Sequence, residues 1–158
     1  TGDNLPSAQV FFLDNSNLVQ KKDIRDFTVS GKTIIFGLPG AFTSVCSVKH
    51  LPGFVKSYES ALKKGIQNIL CLSVNDPFVM RAWGEKNNVG NKIMMLGDPF
   101  CEFTKLMGLE TDKSAKGLGI RSSRYTMLVD NGKIEKISVE KDTGNCEISA
   151  AENFLKEI

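Results

Sequence analysis

Apolar positions along this chain fall into short unbroken runs and into stretches with helical spacing, and the two kinds alternate. Val10 to Leu13 followed by Asp14-Asn15-Ser16-Asn17 predicts a strand entering a turn, the start of an N-terminal hairpin arm. Lys32 to Phe36 predicts a short buried strand, which Pro39-Gly40 closes with a turn. Beyond that turn Val48, Leu51, Val55, Tyr58 and Leu62 recur at intervals of three and four, one apolar face of a helix, with Pro52 predicting a kink inside it. Ile66 to Val74 predicts a second buried strand. Asp76-Pro77 then opens a helix carrying Val79, Ala82 and Trp83, with proline in the first turn, where its missing N–H does no harm.

Lys92 to Leu96 predicts a short third strand, and Cys101 to Met107 a short helix stopped by Gly108. Residues 110–122 are polar and carry Gly117 and Gly119, so they read as a long surface loop of the kind that is usually functional. Arg124 to Asp130 and Lys133 to Val139 flank Asn131-Gly132, a strong signal for a two-residue hairpin. Ile148, Ala151, Leu155 and Ile158 predict a closing amphipathic helix. Strand, helix, strand, helix, then a hairpin and a last helix give an α/β fold with a mixed central sheet, organised as one domain over residues 1–158.

Composition changes this picture only by exclusion. Lys and Arg number 20 against 18 Asp and Glu, a net charge of +2 spread along the chain, which argues against nucleic acid as a partner. No stretch approaches the ~20 apolar residues that span a bilayer, so a membrane is not an expected partner either. Cys46, Cys71, Cys101 and Cys146 form no CxxC pair and no zinc-ligand spacing, and one histidine cannot complete a Cys/His metal set. They read as free thiols of a reducing intracellular compartment, with no metal or cofactor implied. The chain opens at Thr1 rather than Met, the expectation for a shortened or processed form.

Cys46 is the residue placed for chemistry. It stands just inside a predicted helix start, where unpaired N–H groups and the positive end of the helix dipole favour a thiolate. Thr43 is a preferred helix N-cap, and its third residue onward is Cys46. A packed, inert cysteine is the competing reading. His50 lies four residues on, on the same helix face, and fits a structural or pocket-rim role better than a Cys–His dyad.

The element order is that of the thioredoxin-like fold, with Thr43-Ser44-Val45-Cys46 where a thioredoxin carries CxxC. At these residues the chain resembles the peroxiredoxin family, and within it the type II or peroxiredoxin-5 group, particularly its plant-like members. The family pattern Pro-x-x-x-Thr/Ser-x-x-Cys is matched by Pro39, Thr43 and Cys46. The wider runs Gly40 to Thr43, His50-Leu51-Pro52-Gly53-Phe54, Cys71 to Met80 and Arg124-Tyr125-Thr126-Met127 are also similar. Ser44 departs from the proline usual after the threonine, which loosens the first helical position.

The resemblance implies a thiol-dependent peroxidase acting on hydrogen peroxide and alkyl hydroperoxides. Cys46 would be the nucleophile that becomes a sulfenic acid. Thr43 and Arg124 would orient the thiolate and the peroxide, Pro39 would shield the site, and Gly40 would line it. Cys71 is expected in the core, Cys101 is unassigned, and Cys146 only weakly matches the place of a resolving cysteine. The expectation is therefore a one-cysteine mechanism with glutathione or glutaredoxin as reductant, in a homodimer, in the cytosol or in a plastid or mitochondrion after loss of a targeting segment. Alternatives are a thioredoxin-dependent two-cysteine peroxidase with Cys146 resolving, and a redox sensor without turnover. A thiol–disulfide oxidoreductase lacks its second thiol at position 43, and a Cys–His hydrolase lacks a third partner.

Overall fold

The computed structural model describes residues 2–158, except for the side chains of Cys46 and Ser47. The first part of the chain forms β1 (Gln9–Leu13), β2 (Val19–Asp23) and β3 (Lys32–Leu38), then α1 (Leu51–Lys56) and α2 (Tyr58–Lys63). Next come β4 (Ile66–Ser73), α3 (Pro77–Lys86), β5 (Met94–Gly97) and α4 (Glu102–Leu106). The chain closes with β6 (Glu110–Asp112), β7 (Ile120–Ser122), β8 (Tyr125–Asp130), β9 (Lys133–Val139) and α5 (Ala151–Lys156).

Seven strands make one mixed sheet in the order β2-β1-β5-β4-β3-β8-β9, and β6 and β7 pair separately. The parallel strands β3, β4 and β5 lie in its centre, linked through α1, α2 and α3. Their near-continuous Ile, Leu and Phe content follows from burial on both faces. Side chains alternate across the pleat. Ile34, Phe36 and Leu38 of β3 join the core under α1, α3 and α5, while Ile35 joins Val10, Leu72 and Met127 on the opposite face.

The fold matches the thioredoxin-like expectation, with the N-terminal hairpin arm present as β1 and β2. One cap and one turn act as their residue types require. Asp76 Oδ1 accepts from Val79 N at 2.8 Å ahead of Pro77, and Asn131 and Gly132 both take positive φ, 49° and 82°, in the β8–β9 turn.

Two expectations need correction. The helix after Cys46 is not one continuous cylinder: Cys46–His50 forms a wide π turn before α1, and Ser57 separates α1 from α2. Pro52 has no N–H and its ring would clash with the carbonyl of Val48, and the wider turn relieves both. The turn rotates the buried face, so His50, Leu51, Phe54 and Ala61 are buried while Val48 and Leu62 stay exposed. Residues 110–122 are also more than a loop, because β6 and β7 pair across a 3-10 turn at Ser114–Lys116. Strands of three residues are too short to show a period.

Gly37 sets how closely β3 and β8 approach. It pairs with Tyr125, and a Cβ at Gly37 would lie 2.2 Å from Cε1 of the tyrosine ring. Gly37→Ala is therefore expected to lower stability by about 1–3 kcal/mol through overpacking, read as a lower urea midpoint with unchanged slope. An unchanged midpoint would show that the ring moves aside freely.

Candidate active site

Pro39, Gly40, Thr43 and Arg124 lie at the C-terminal end of β3, the end where open α/β sheets place their ligands. Pro39 and Gly40 are buried directly after β3. The loop they begin is tied down by side chains from two other segments. Asn75 Oδ1 accepts from Ala41 N at 2.9 Å and from Ser73 Oγ at 2.7 Å. Arg121 Nη1 donates to the Pro39 carbonyl at 3.2 Å while its Nε donates to Leu118 O at 2.9 Å. A Cβ on Gly40 would stand 2.6 Å from that Nη1, so glycine is what lets the guanidinium approach the backbone. Phe42 holds a left-handed φ of 65° and leaves its ring half-exposed, 6.5 Å from Trp83.

Thr43 donates its hydroxyl proton to Gly40 O at 2.7 Å. With that proton committed, the oxygen keeps only its acceptor capacity. Sequence spacing expected Thr43 to cap the helix start; the hydroxyl bond described here closes the Gly40–Thr43 turn.

Arg124 enters from the position just before β8. Gly37 pairs with Tyr125 and Phe36 with Thr126, so Arg124 and Thr126, two residues apart, share the face that carries Phe36. Arg124 is 1% exposed, although its residue type is almost never fully buried without hydrogen-bonded partners. Its Nε donates to Thr143 O at 3.0 Å, and its Nη1 lies 3.1 Å from His50 Nδ1.

Proton positions around His50 follow from this geometry. Thr126 Oγ1 donates its one proton to Ser149 O at 2.6 Å, so toward His50 Nε2, 3.1 Å away, it accepts. Nε2 therefore carries the ring proton, and Nδ1 presents a lone pair to the Arg124 guanidinium, which can only donate. Burial holds the His50 pKa well below its ordinary value, and the Arg124 charge adds to the effect. A neutral imidazole packed near Phe36 and Phe54 thus orients a cation without cancelling its charge.

The backbone puts Cys46 at the first position of the π turn, and its side chain lies outside the described residues. Ser44, one position into the approach to that turn, is exposed. The other three cysteines are buried. Cys71 lies in β4, as expected of a core residue. Cys101 precedes α4 with a φ of 59°, and Cys146 lies in the segment between β9 and α5. Burial pushes the thiols of Cys101 and Cys146 up, which makes both weaker nucleophiles near neutrality.

Pro39, Gly40, Thr43, His50 and Arg124 thus surround one strand end. Arg121 and Asn75 were not singled out as site residues from sequence. Asn75 stands within the run that resembles peroxiredoxins, whereas Arg121 lies in a segment without periodicity, and only the β6–β7 pairing delivers it. Among the described residues no group of three or more His, Cys, Asp or Glu is placed to hold a metal ion, and no helix is long and apolar enough to cross a membrane. A surface cleft lined by Phe12, Tyr58, Ile69, Arg81 and Met94 opens at the other end of the parallel strands, away from this cluster.

A thioredoxin-like sheet whose β3 end is followed by Pro39, Thr43 and Cys46, with a buried arginine from the next strand, defines the redoxin class. The redoxin family model matches residues 1–155. Peroxiredoxin-2D of Arabidopsis thaliana is 43% identical over 155 residues, covering 98% of this chain and 95% of that protein. The structure of reduced Prx3 from Vibrio vulnificus in complex with hydrogen peroxide superposes with a TM-score of 0.92 at 38% identity, covering 99% of this chain and 96% of that one. The Plasmodium falciparum antioxidant protein, a 1-Cys peroxiredoxin, gives a TM-score of 0.91 at 29% identity over 99% and 98% of the two chains. The chain belongs to the peroxiredoxin family and is a peroxidase of the type II, plant-like kind.

His50 is the single histidine of the chain, which makes its protonation directly measurable. Because its folded pKa is depressed, the unfolded chain takes up the proton first as pH falls, and stability drops below the unfolded value of about 6.5. Wild type is expected to lose about 1.4 kcal/mol from this group by pH 5.5, a loss absent from His50→Asn in paired urea titrations. An imidazole that titrates near 6.5 in NMR spectra of the folded protein would contradict this assignment.

Proposed function

We propose that Cys46 is the peroxidatic nucleophile, that Thr43, Arg124, Pro39 and Gly40 form its peroxide site, and that an external thiol completes the cycle. The observation that carries this reading is the buried Arg124 cation. It is held by a neutral imidazole and a carbonyl beside the loop that leads to Cys46. Its charge favours the thiolate over the thiol, and it is available to the negative charge that develops on the peroxide oxygens.

The chemistry is a displacement on oxygen. The Cys46 thiolate attacks one oxygen of the peroxide, the O–O bond breaks, and cysteine sulfenic acid forms. The second oxygen leaves as hydroxide or alkoxide and takes up a proton to give water or an alcohol. Thr43, whose own proton rests on Gly40 O, accepts from the peroxide O–H and aligns it for attack. The pyrrolidine ring of Pro39 walls off bulk water and brings no N–H of its own. His50 serves through Arg124, since a buried neutral imidazole that already donates to Thr126 is not a standing base.

The sulfenic acid is then reduced by glutathione or glutaredoxin in a one-cysteine cycle. The burial of Cys71, Cys101 and Cys146 supports this, as do the weakened nucleophilicities of the last two. A homodimer belongs to the same reading, with the exposed Phe42 ring giving the active-site loop an apolar face for a second copy.

Peroxide consumption with glutathione and glutaredoxin tests these assignments. Cys46→Ser is expected to retain less than a few per cent of turnover, and Cys146→Ser to retain most of it. Substantial residual activity in the first variant would remove Cys46 as nucleophile. Loss of most activity in the second, with thioredoxin as the better reductant of wild type, would establish a two-cysteine cycle through Cys146.

A further inference from the structure

The supports that aim Arg124 converge on one carboxylate that the peroxidase chemistry does not use. Glu140 is 8% exposed, and its Oε2 accepts three hydrogen bonds: from Glu147 N at 2.8 Å, Ser149 N at 2.7 Å and Ser149 Oγ at 2.7 Å. Its own N–H donates to the carbonyl of Arg124 at 2.9 Å, which anchors the carboxylate at the start of β8. One oxygen therefore pins the chain between β9 and α5 against the strand that carries Arg124. Hydrogen bonds to an ionised carboxylate are roughly twice as strong as neutral ones, so this clamp is stiffer than a backbone turn.

Two carbonyls in the clamped segment bear on the guanidinium, one directly and one through Thr126 and His50. Thr143 O accepts from Arg124 Nε directly. Ser149 O accepts the proton of Thr126, which fixes the tautomer of His50 and so sets the acceptor that meets Arg124 Nη1. We propose that Glu140 is a positioning residue for Arg124, acting through the 143–149 segment. This inference rests on the reading that Arg124 serves peroxide reduction. It also bears on Cys146, which is buried within the clamped segment. A Cys146 thiol that left its place to reach Cys46 would draw Thr143 O away from the arginine. The conformation that aims Arg124 is thus the one that sequesters Cys146.

The test is a double-variant cycle on the full reduced chain, reading the second-order rate with hydrogen peroxide by stopped flow. Circular dichroism and urea midpoints verify folding. Arg124→Lys is expected to lose about 100-fold, and Glu140→Gln roughly 10-fold through misplacement of the guanidinium. The double variant should be no more than about twofold slower than Arg124→Lys alone, because both changes act on one group. In Glu140→Gln the Cys146 thiol should also react at least about tenfold faster with a disulfide reagent under native conditions, as a released segment exposes it. If Glu140→Gln does not fold, Ser149→Ala removes one of the three clamp bonds and carries the same cycle. A wild-type peroxide rate in folded Glu140→Gln, with Arg124→Lys impaired, overturns this proposal and leaves the site assignment standing. Multiplying losses in the double variant overturn the route through Arg124. A wild-type rate in Arg124→Lys overturns the site assignment itself.

Discussion

A buried guanidinium is the constraint on which the rest of this structure turns. Removing a cation from water costs several kcal/mol, and protein interiors accept one only when its donors are satisfied. Here the described acceptors are uncharged: the lone pair of a neutral His50 and the carbonyl of Thr143. A carboxylate in the same place would satisfy the donors equally well and neutralise the charge. Neutral acceptors hold the donors without adding a negative charge, and under the proposed function the cation's field favours the thiolate and the breaking O–O bond.

The surrounding architecture follows from holding that charge at one strand end. Pairing of Gly37 with Tyr125 brings β8 close enough to β3 that Arg124 flanks the loop beginning at Pro39. The π turn at Cys46–His50 turns His50 inward to pack beside Phe36, within reach of both Arg124 and Thr126. Arg121, from a separate two-stranded hairpin, holds the Pro39 carbonyl and leaves the loop little freedom at its entrance. That tether bears on Ser44, a position whose φ no proline ring fixes. Stiffness that proline would supply through its fixed φ is supplied here, upstream, by Arg121, Asn75 and the Thr43 hydroxyl.

Much of this was legible in the residues. Buried strands announce themselves as apolar runs, Asn131-Gly132 as a hairpin, Asp76-Pro77 as a helix start, and Pro39, Thr43 and Cys46 as a motif. What stayed hidden has a common physical cause, since it depends on contacts between distant positions. His50 and Arg124 are 74 residues apart, and Arg121 and Pro39 are 82 apart. The tautomer of His50 is decided by a carbonyl in a third segment. The shifted face of the helix after Cys46 escaped for a local reason, because a π turn changes the period on which the reading of Val48 and Leu62 relied.

The ionisation of Cys46 tests the central claim most directly. The rate of alkylation by iodoacetamide, followed by peptide mass analysis at Cys46 across pH, reports the thiolate fraction in wild type and in Arg124→Met. A buried arginine cation beside the Cys46 loop predicts a midpoint well below the ordinary cysteine value of about 8.5 in wild type, rising by a unit or more in the variant. An ordinary midpoint in wild type, or the same midpoint in both proteins, would contradict it.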